Sequence, residues 1–190
     1  MFLEIFGRYS NVSSPKLKLT SIVKPLLIEY KGIKVKANQL IVHSELPLSI
    51  DSAWDNVKSP ALLEFVAKGM IKFKFVDGDF PRQWEVGQTY GFKTRVFGII
   101  PFGGIHYLLV DKIDNSNYTL STKEWDNGAK VWNHDITMRE FGDGKIYYED
   151  SITIYGGILT GFITSFAKEF YKHRQKRWQI VAANKLEFGN

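Results

Sequence analysis

The sequence contains no cysteine among its 190 residues. That excludes disulfide bonds, thiolate-ligated zinc and a thiol nucleophile, and it removes the usual indicator of redox compartment. Histidine is scarce too: His43, His106, His134 and His173 are scattered without metal-site spacing, so no metal is expected. No G-x-S-x-G, H-E-x-x-H or G-x-G-x-x-G segment occurs, and the GDGK at 142–145 is no P-loop because Arg139 stands where the upstream glycine belongs. No cofactor is expected. No run approaches the roughly 20 apolar residues of a membrane span, so no integral membrane association is expected. The opening MFLEIFGRYS is a short apolar run carrying Glu4, unlike a signal peptide. A cytoplasmic location is the expectation.

What is abundant is aromatic: 14 Phe, 9 Tyr and 5 Trp, 15% of the chain. So many rings need a large core or a lined cavity. Charge is mildly basic, with 25 Lys and Arg against 20 Asp and Glu and a net charge of +5. The one concentrated patch is KHRQKR at 172–177. It reads as a solvated helix end, where cations complement the helix dipole, rather than as a phosphate or nucleic-acid contact. No nucleic-acid partner is expected.

Along the chain, residues 1–36 are the least legible, broken by Pro15 and Pro25. They could be an extra strand, an arm or an N-terminal extension; the domain proper is expected over 37–190. QLIVHSELPL reads as a strand with Leu40, Val42, Ser44 and Leu46 on one face. Two short helices follow, with Asp51 or Ser52 as the expected N-cap of the first and Pro60 in the opening turn of the second. MIKFKFV alternates, opposing Ile71, Phe73 and Phe75 to Lys72 and Lys74. Five more strands follow in YGFKTRVFG, GIHYLLVDKI, NYTLSTKEW, VWNHDITMREF and KIYYEDSITIY. From about 158 to 184, Leu159, Phe162, Ile163, Phe166, Phe170 and Val181 recur at helical spacing. The predicted class is therefore α+β: a seven-stranded antiparallel sheet whose apolar face one long helix can cover only if the sheet curls around it.

The stretch VWNHDITMREFGDGKIYYEDSITIY, followed by a glycine-rich turn into the last helix, is similar to the Trp-x-His, turn, Asp-x-hydrophobic-x-Tyr pattern of ligand-binding SRPBCC proteins. Trp132, His134, Asp150 and Ile154 stand where that pattern places them. Residues 37–184 thus resemble the helix-grip fold of the START-like, birch-pollen-allergen-like superfamily. Gly156-Gly157 departs from it, since a proline is frequent there. The resemblance implies a pocket for apolar small molecules, and polyketide-cyclase-like enzymes share the fold, so it does not imply a particular reaction.

Hairpin arithmetic identifies an inward face independently. A three-residue loop at Gly142–Gly144 sets Trp132 against Ile154, His134 against Ile152, Ile136 against Asp150 and Met138 against Tyr148. A loop at Asn127–Ala129 sets Glu124 against Trp132 and Thr122 against His134. Glu124, His134 and Asp150 then share one mainly apolar face, with His134 within reach of both carboxylates. These residues either contact a ligand or form a structural polar cluster that fixes register.

The expected ligand-binding set is Trp132, His134, Glu124, Asp150, Ile136, Phe73, Tyr148, Phe162, Phe166 and Phe170, with His134 the candidate acid or base. FGIIPFGG at 97–104 reads as a lid or as buried packing. The first functional expectation is binding of an apolar small molecule between sheet and helix. The alternatives are a cyclase- or hydratase-type enzyme using His134, and a protein-interaction domain without a ligand.

Overall fold

The computed structural model describes residues 18–76, 78 and 81–189. Residues 1–17 of the expected extension lie outside them. The described chain runs through strands β1 (Thr20–Tyr30) and β2 (Ile33–Leu46), helices α1 (Ile50–Val57) and α2 (Pro60–Ala67), then strands β3 (Ile71–Phe75), β4 (Thr89–Val96), β5 (Ile100–Asp114), β6 (Thr119–Trp125), β7 (Val131–Gly142) and β8 (Lys145–Tyr155). A short 3₁₀ turn, Gly157–Leu159, leads into the long helix α3 (Thr160–Asn184). The strands form one antiparallel sheet in the order β1-β2-β8-β7-β6-β5-β4-β3, and α3 packs on its concave side against β2 and β8.

The sheet thus has eight described strands, where the sequence predicts seven. The additional strand is β1, which pairs with β2 from Thr20↔His43 to Tyr30↔Ile33, so pairing runs on both sides of position 37. Its reversal is a two-residue turn with Lys31 and Gly32 both at positive φ, +51° and +79°. As an edge strand it tolerates Pro25, which has no N–H to give a ladder. Ile22, Val23 and Leu27 remain exposed, and burial alternates only over Leu26–Tyr30, where Leu26, Ile28 and Tyr30 are half-buried.

On β2, by contrast, Leu40, Val42, Ser44 and Leu46 are all buried, as their parity predicts. Helix α1 starts earlier than expected, because the side chain of Ser49 accepts the N–H of Ser52. Ser59 caps α2 in the same manner ahead of Pro60.

The β7–β8 register is the predicted one, pairing Trp132↔Ile154, His134↔Ile152, Ile136↔Asp150 and Met138↔Tyr148. The loop that produces it differs. Asp143 and Gly144, at φ +51° and +68°, form a two-residue turn, and a bulge between Glu140 and Gly142 restores the one-residue offset.

The buried stripe of α3 comprises Ile163, Ala167, Phe170, Tyr171, Arg174, Trp178 and Val181. Leu159 and Phe162 lie off it and are exposed, contrary to the sequence expectation. The entry of the helix sets that rotation. A Cβ at Gly156 would run into the side chain of Ile163 and the carbonyl of Gly128, so only glycine lets α3 start this close to the β6–β7 turn.

Candidate functional site

Because α3 lies directly on β2 and β8, the inward side chains of those strands are pressed beneath it. Strands β3 to β7 curl away, and a cavity of about 100 Å³ remains between them, α2 and α3. Phe73, Phe92, Leu108, Trp132, Ile136, Phe166 and Phe170 give it an apolar wall. Phe73 meets Phe92 edge-on at 5.7 Å, and Phe166 stacks on Phe170 at 6.3 Å. Thr94, Thr122, Glu124, Asp126, His106, His134, Tyr171 and Arg174 add polar groups to the lining.

Most of those polar groups form two sets. In the first, His106 on β5 is held between two carboxylates, with Nε2 2.8 Å from Glu124 Oε2 and Nδ1 3.0 Å from Asp126 Oδ2. Glu124 Oε1 accepts the Thr122 hydroxyl, while Asp126 Oδ1 accepts the N–H groups of Gly128 and Ala129. Burial disfavours the charged imidazole, yet the bonds to Asp126 and Glu124 outweigh it and raise the His106 pKa to about 9. Burial likewise opposes ionisation of Glu124 and Asp126, and their bonds to His106 hold both below the usual carboxylate range. With both ring nitrogens engaged, His106 is a buried cation locking β5 to β6 and its following turn, and it has no N–H left for a ligand.

The second set centres on Asp150, which is fully buried on β8. Its Oδ1 is 2.8 Å from Nε2 of His134 and accepts the hydroxyl of Tyr148 at 3.2 Å. Its Oδ2 accepts Nε2 of Gln175 at 2.8 Å, and Gln175 in turn accepts the Ser44 hydroxyl. Burial pushes the Asp150 carboxyl up, but the charge of Arg174 and the bond from His134 hold it below the ordinary range. The His134 ring sits edge-on to Tyr171 at 5.0 Å, and Tyr171 accepts the indole N–H of Trp132. With Nε2 fixed on Asp150, the other ring nitrogen, Nδ1, has no partner among the described residues, in a ring that lines the cavity.

Of the residues singled out from the sequence, Trp132, His134, Glu124, Ile136, Phe73, Phe166 and Phe170 meet around this cavity. Asp150 and Tyr148 do not reach its surface: they lie under α3, where Tyr148 packs on Trp178 and Asp150 supports His134 from behind. Phe162 is 67% exposed on the far side of its helix. Glu124 and His134 do not bond each other, since Glu124 engages His106 instead.

Several lining groups stand outside the expected set, His106, Asp126, Tyr171 and Arg174 among the polar ones. His106 carried a signal, because it shares strand parity with Leu108 and Val110. Arg174 carried another, falling at helical spacing between Phe170 and Trp178 inside KHRQKR. That run is not a fully solvated helix end: Arg174 and Gln175 are buried, and Arg177 Nε donates to the Phe65 carbonyl. Asp126 offered none, because its position depends on the β6–β7 turn. FGIIPFGG is mainly a strand reversal, with Ile100 pairing to Val96 and Pro101 to Arg95, and Phe97 and Ile99 exposed at its tip. Among the described residues no group of three or more His, Asp or Glu is arranged to hold a metal ion. No described helix is long and apolar enough to cross a membrane.

No family model matches the chain, and no curated protein matches it. Its fold, however, has many solved counterparts. Protein Ms6760 from Mycobacterium smegmatis is 14% identical, with 75% of this chain and 89% of that one covered at a TM-score of 0.59. Ginseng major latex-like protein 151 from Panax ginseng is 11% identical, covering 77% and 97% at 0.57. Norcoclaurine synthase from Thalictrum flavum, solved in complex with dopamine and hydroxybenzaldehyde, is 13% identical and covers 90% of both chains at 0.56. The likeness to these proteins, across nearly their whole lengths, is one of fold: a curled antiparallel sheet closed by a long C-terminal helix, the helix-grip architecture.

Proposed function

We propose that the protein binds an apolar small molecule in the cavity between the curled sheet and α3. The supporting observation is the wall itself: inward aromatic and aliphatic side chains from β3 to β7 and α3 surround a space of about 100 Å³. Removing apolar ligand surface from water there contributes about 25 cal/mol per Å². A dry apolar cavity of roughly 150 Å³ accommodates benzene. The present volume is about two thirds of that, at the lower limit for a single ring. A larger one requires Phe166 and its neighbours to move. That norcoclaurine synthase was solved with two small aromatic molecules is consistent with ligands of this size.

Native mass spectrometry of the protein purified from its own cells, compared with its denatured mass, tests the reading. A noncovalent adduct lost on denaturation supports it. A bare protein that also takes up no monocyclic aromatic compound overturns it.

One detail favours a second reading, an enzyme of the cyclase or hydratase type. Asp150 orients His134 through Nε2 and leaves Nδ1 without a protein partner, an arrangement suited to moving a proton. His134→Gln separates the two readings. A binder loses less than about tenfold in affinity, whereas an enzyme keeps binding and loses turnover by about 10²–10⁴.

A further inference from the structure

Among the described residues, Arg174 is the buried charged group with the fewest hydrogen bonds. It is 5% exposed, lies on the cavity wall, and makes no hydrogen bond among the described residues. Its Nη2 stands 3.8 Å from Asp150 Oδ1, close enough for charge balance but beyond hydrogen-bonding distance. Its plane is held against the Tyr171 ring, 4.8 Å from the centroid, and its Nε is buried without a partner. Guanidinium donors are rarely left unmade in an interior, because a buried charged donor without a partner keeps its full desolvation penalty. Trp178 Nε1 is also a buried donor without a partner, but it is not on the cavity wall.

We infer that Arg174 is a specificity determinant of the cavity and that the ligand class is an apolar, ring-sized molecule bearing a neutral oxygen acceptor, such as a ketone or other carbonyl, which receives the Arg174 donors. The inference rests on the binding function proposed above and adds to it the polar group the ligand must carry.

Charge bookkeeping argues for a neutral acceptor rather than an anion. Glu124, Asp126 and Asp150 are all held below the ordinary carboxylate range, against the His106 imidazolium and the Arg174 guanidinium. Leaving His134 aside, these five groups already carry one net negative charge. A carboxylate ligand would place a second uncompensated negative charge in a low-dielectric space. The charge of Arg174 is balanced by Asp150, and what it lacks is acceptors. A carbonyl oxygen supplies them, and its apolar body faces Phe73, Phe92, Leu108 and Phe170. In the absence of a ligand, water in the cavity can serve the guanidinium donors other than the enclosed Nε. A purely apolar ligand that displaced this water would leave them unmade and bind more weakly.

Three monocyclic probes of similar size test this by calorimetry: ethylbenzene, acetophenone and benzoate. The unaltered protein is expected to bind acetophenone at least tenfold more tightly than ethylbenzene, with benzoate weaker than acetophenone. Arg174→Met, which keeps the apolar stem, is expected to remove the preference for acetophenone. In the unaltered protein, the ¹⁵N–¹H resonance of Arg174 Nε is expected to move on adding acetophenone and to stay in place with ethylbenzene, a readout that does not depend on the variant folding. Equal affinities for ethylbenzene and acetophenone would refute the acceptor site while leaving cavity binding intact. A preference retained in Arg174→Met would also overturn it, and benzoate binding most tightly would overturn the neutral ligand class. If none of the three binds, the acceptor site and the proposed binding function both fail.

Discussion

Histidine 106 shows how a single side chain can tie local folding to pH. Its pKa is raised from 6.5 to about 9 by the two carboxylates that grip it. The folded state therefore binds this proton more tightly than the unfolded chain does. The resulting stabilisation, at most about 3 kcal/mol, is complete below about pH 6.5 and is lost as pH rises toward 9. Glu124 and Asp126 act in the opposite window. Their lowered pKa values add stability above the ordinary carboxylate range, and it is lost as pH falls through their folded values. Thermal unfolding at pH 6.5 and 9.5 is expected to show a fall of several degrees, and His106→Gln is expected to flatten it. A variant as steeply pH-dependent as the parent would count against the imidazolium assignment. The inward side of His106 was legible from strand parity, and that of Arg174 from helical spacing. Their partners were not: Asp126 lies 20 residues from His106 in sequence, and Asp150 lies 24 from Arg174.

At the scale of elements, the β7–β8 hairpin and α3 behave differently. The hairpin register follows from a local rule, since only one offset keeps Trp132, Ile136 and Met138 on the side that Ile152, Ile154 and Tyr148 share. The sequence reading reached that register with a three-residue loop, whereas the chain uses a two-residue turn and a bulge. Two local geometries give the same offset, and the alternation pattern cannot distinguish them. The rotation of α3 has no comparable local rule. Phe162 and Ile163 are adjacent apolar residues, and contact with the turn at Gly128 decides which of them is buried. Gly156→Ala is accordingly expected to cost about 2 kcal/mol, because the added methyl meets a backbone carbonyl that cannot easily retreat. Urea titration of the variant measures this, and an unchanged midpoint would mean that the helix entry can shift freely.

For the molecule as a whole, the sheet separates support from binding. Strands β1, β2 and β8 contribute no residue to the cavity lining, which among the described residues begins in sequence at Val57. Removing residues 1–31 would take away no described lining residue but expose the backbone donors and acceptors of the 14-residue strand β2 along a new edge. Such a truncated chain is expected to retain ligand affinity per folded molecule and to self-associate more than the full chain, as sedimentation velocity would show. Loss of affinity without association would indicate that β1 shapes the cavity through the sheet's curl.

The sequence by itself determined the α+β class, the antiparallel order of seven strands with a closing helix, the inward parity of β2 and β7, and the aromatic character of the interior. Periodicities of two and of three to four residues are local, and burial of one face imposes them. Only the tertiary structure decided that β1 belongs to the sheet, that Asp150 and Tyr148 lie beneath the helix and not in the cavity, that Glu124 bonds His106 and not His134, and that Arg174 enters the interior. Strand pairing, β1 with β2 and β5 with β6, decides the first and third of these, and the seating of α3 against the curled sheet decides the others; none follows from a local periodicity.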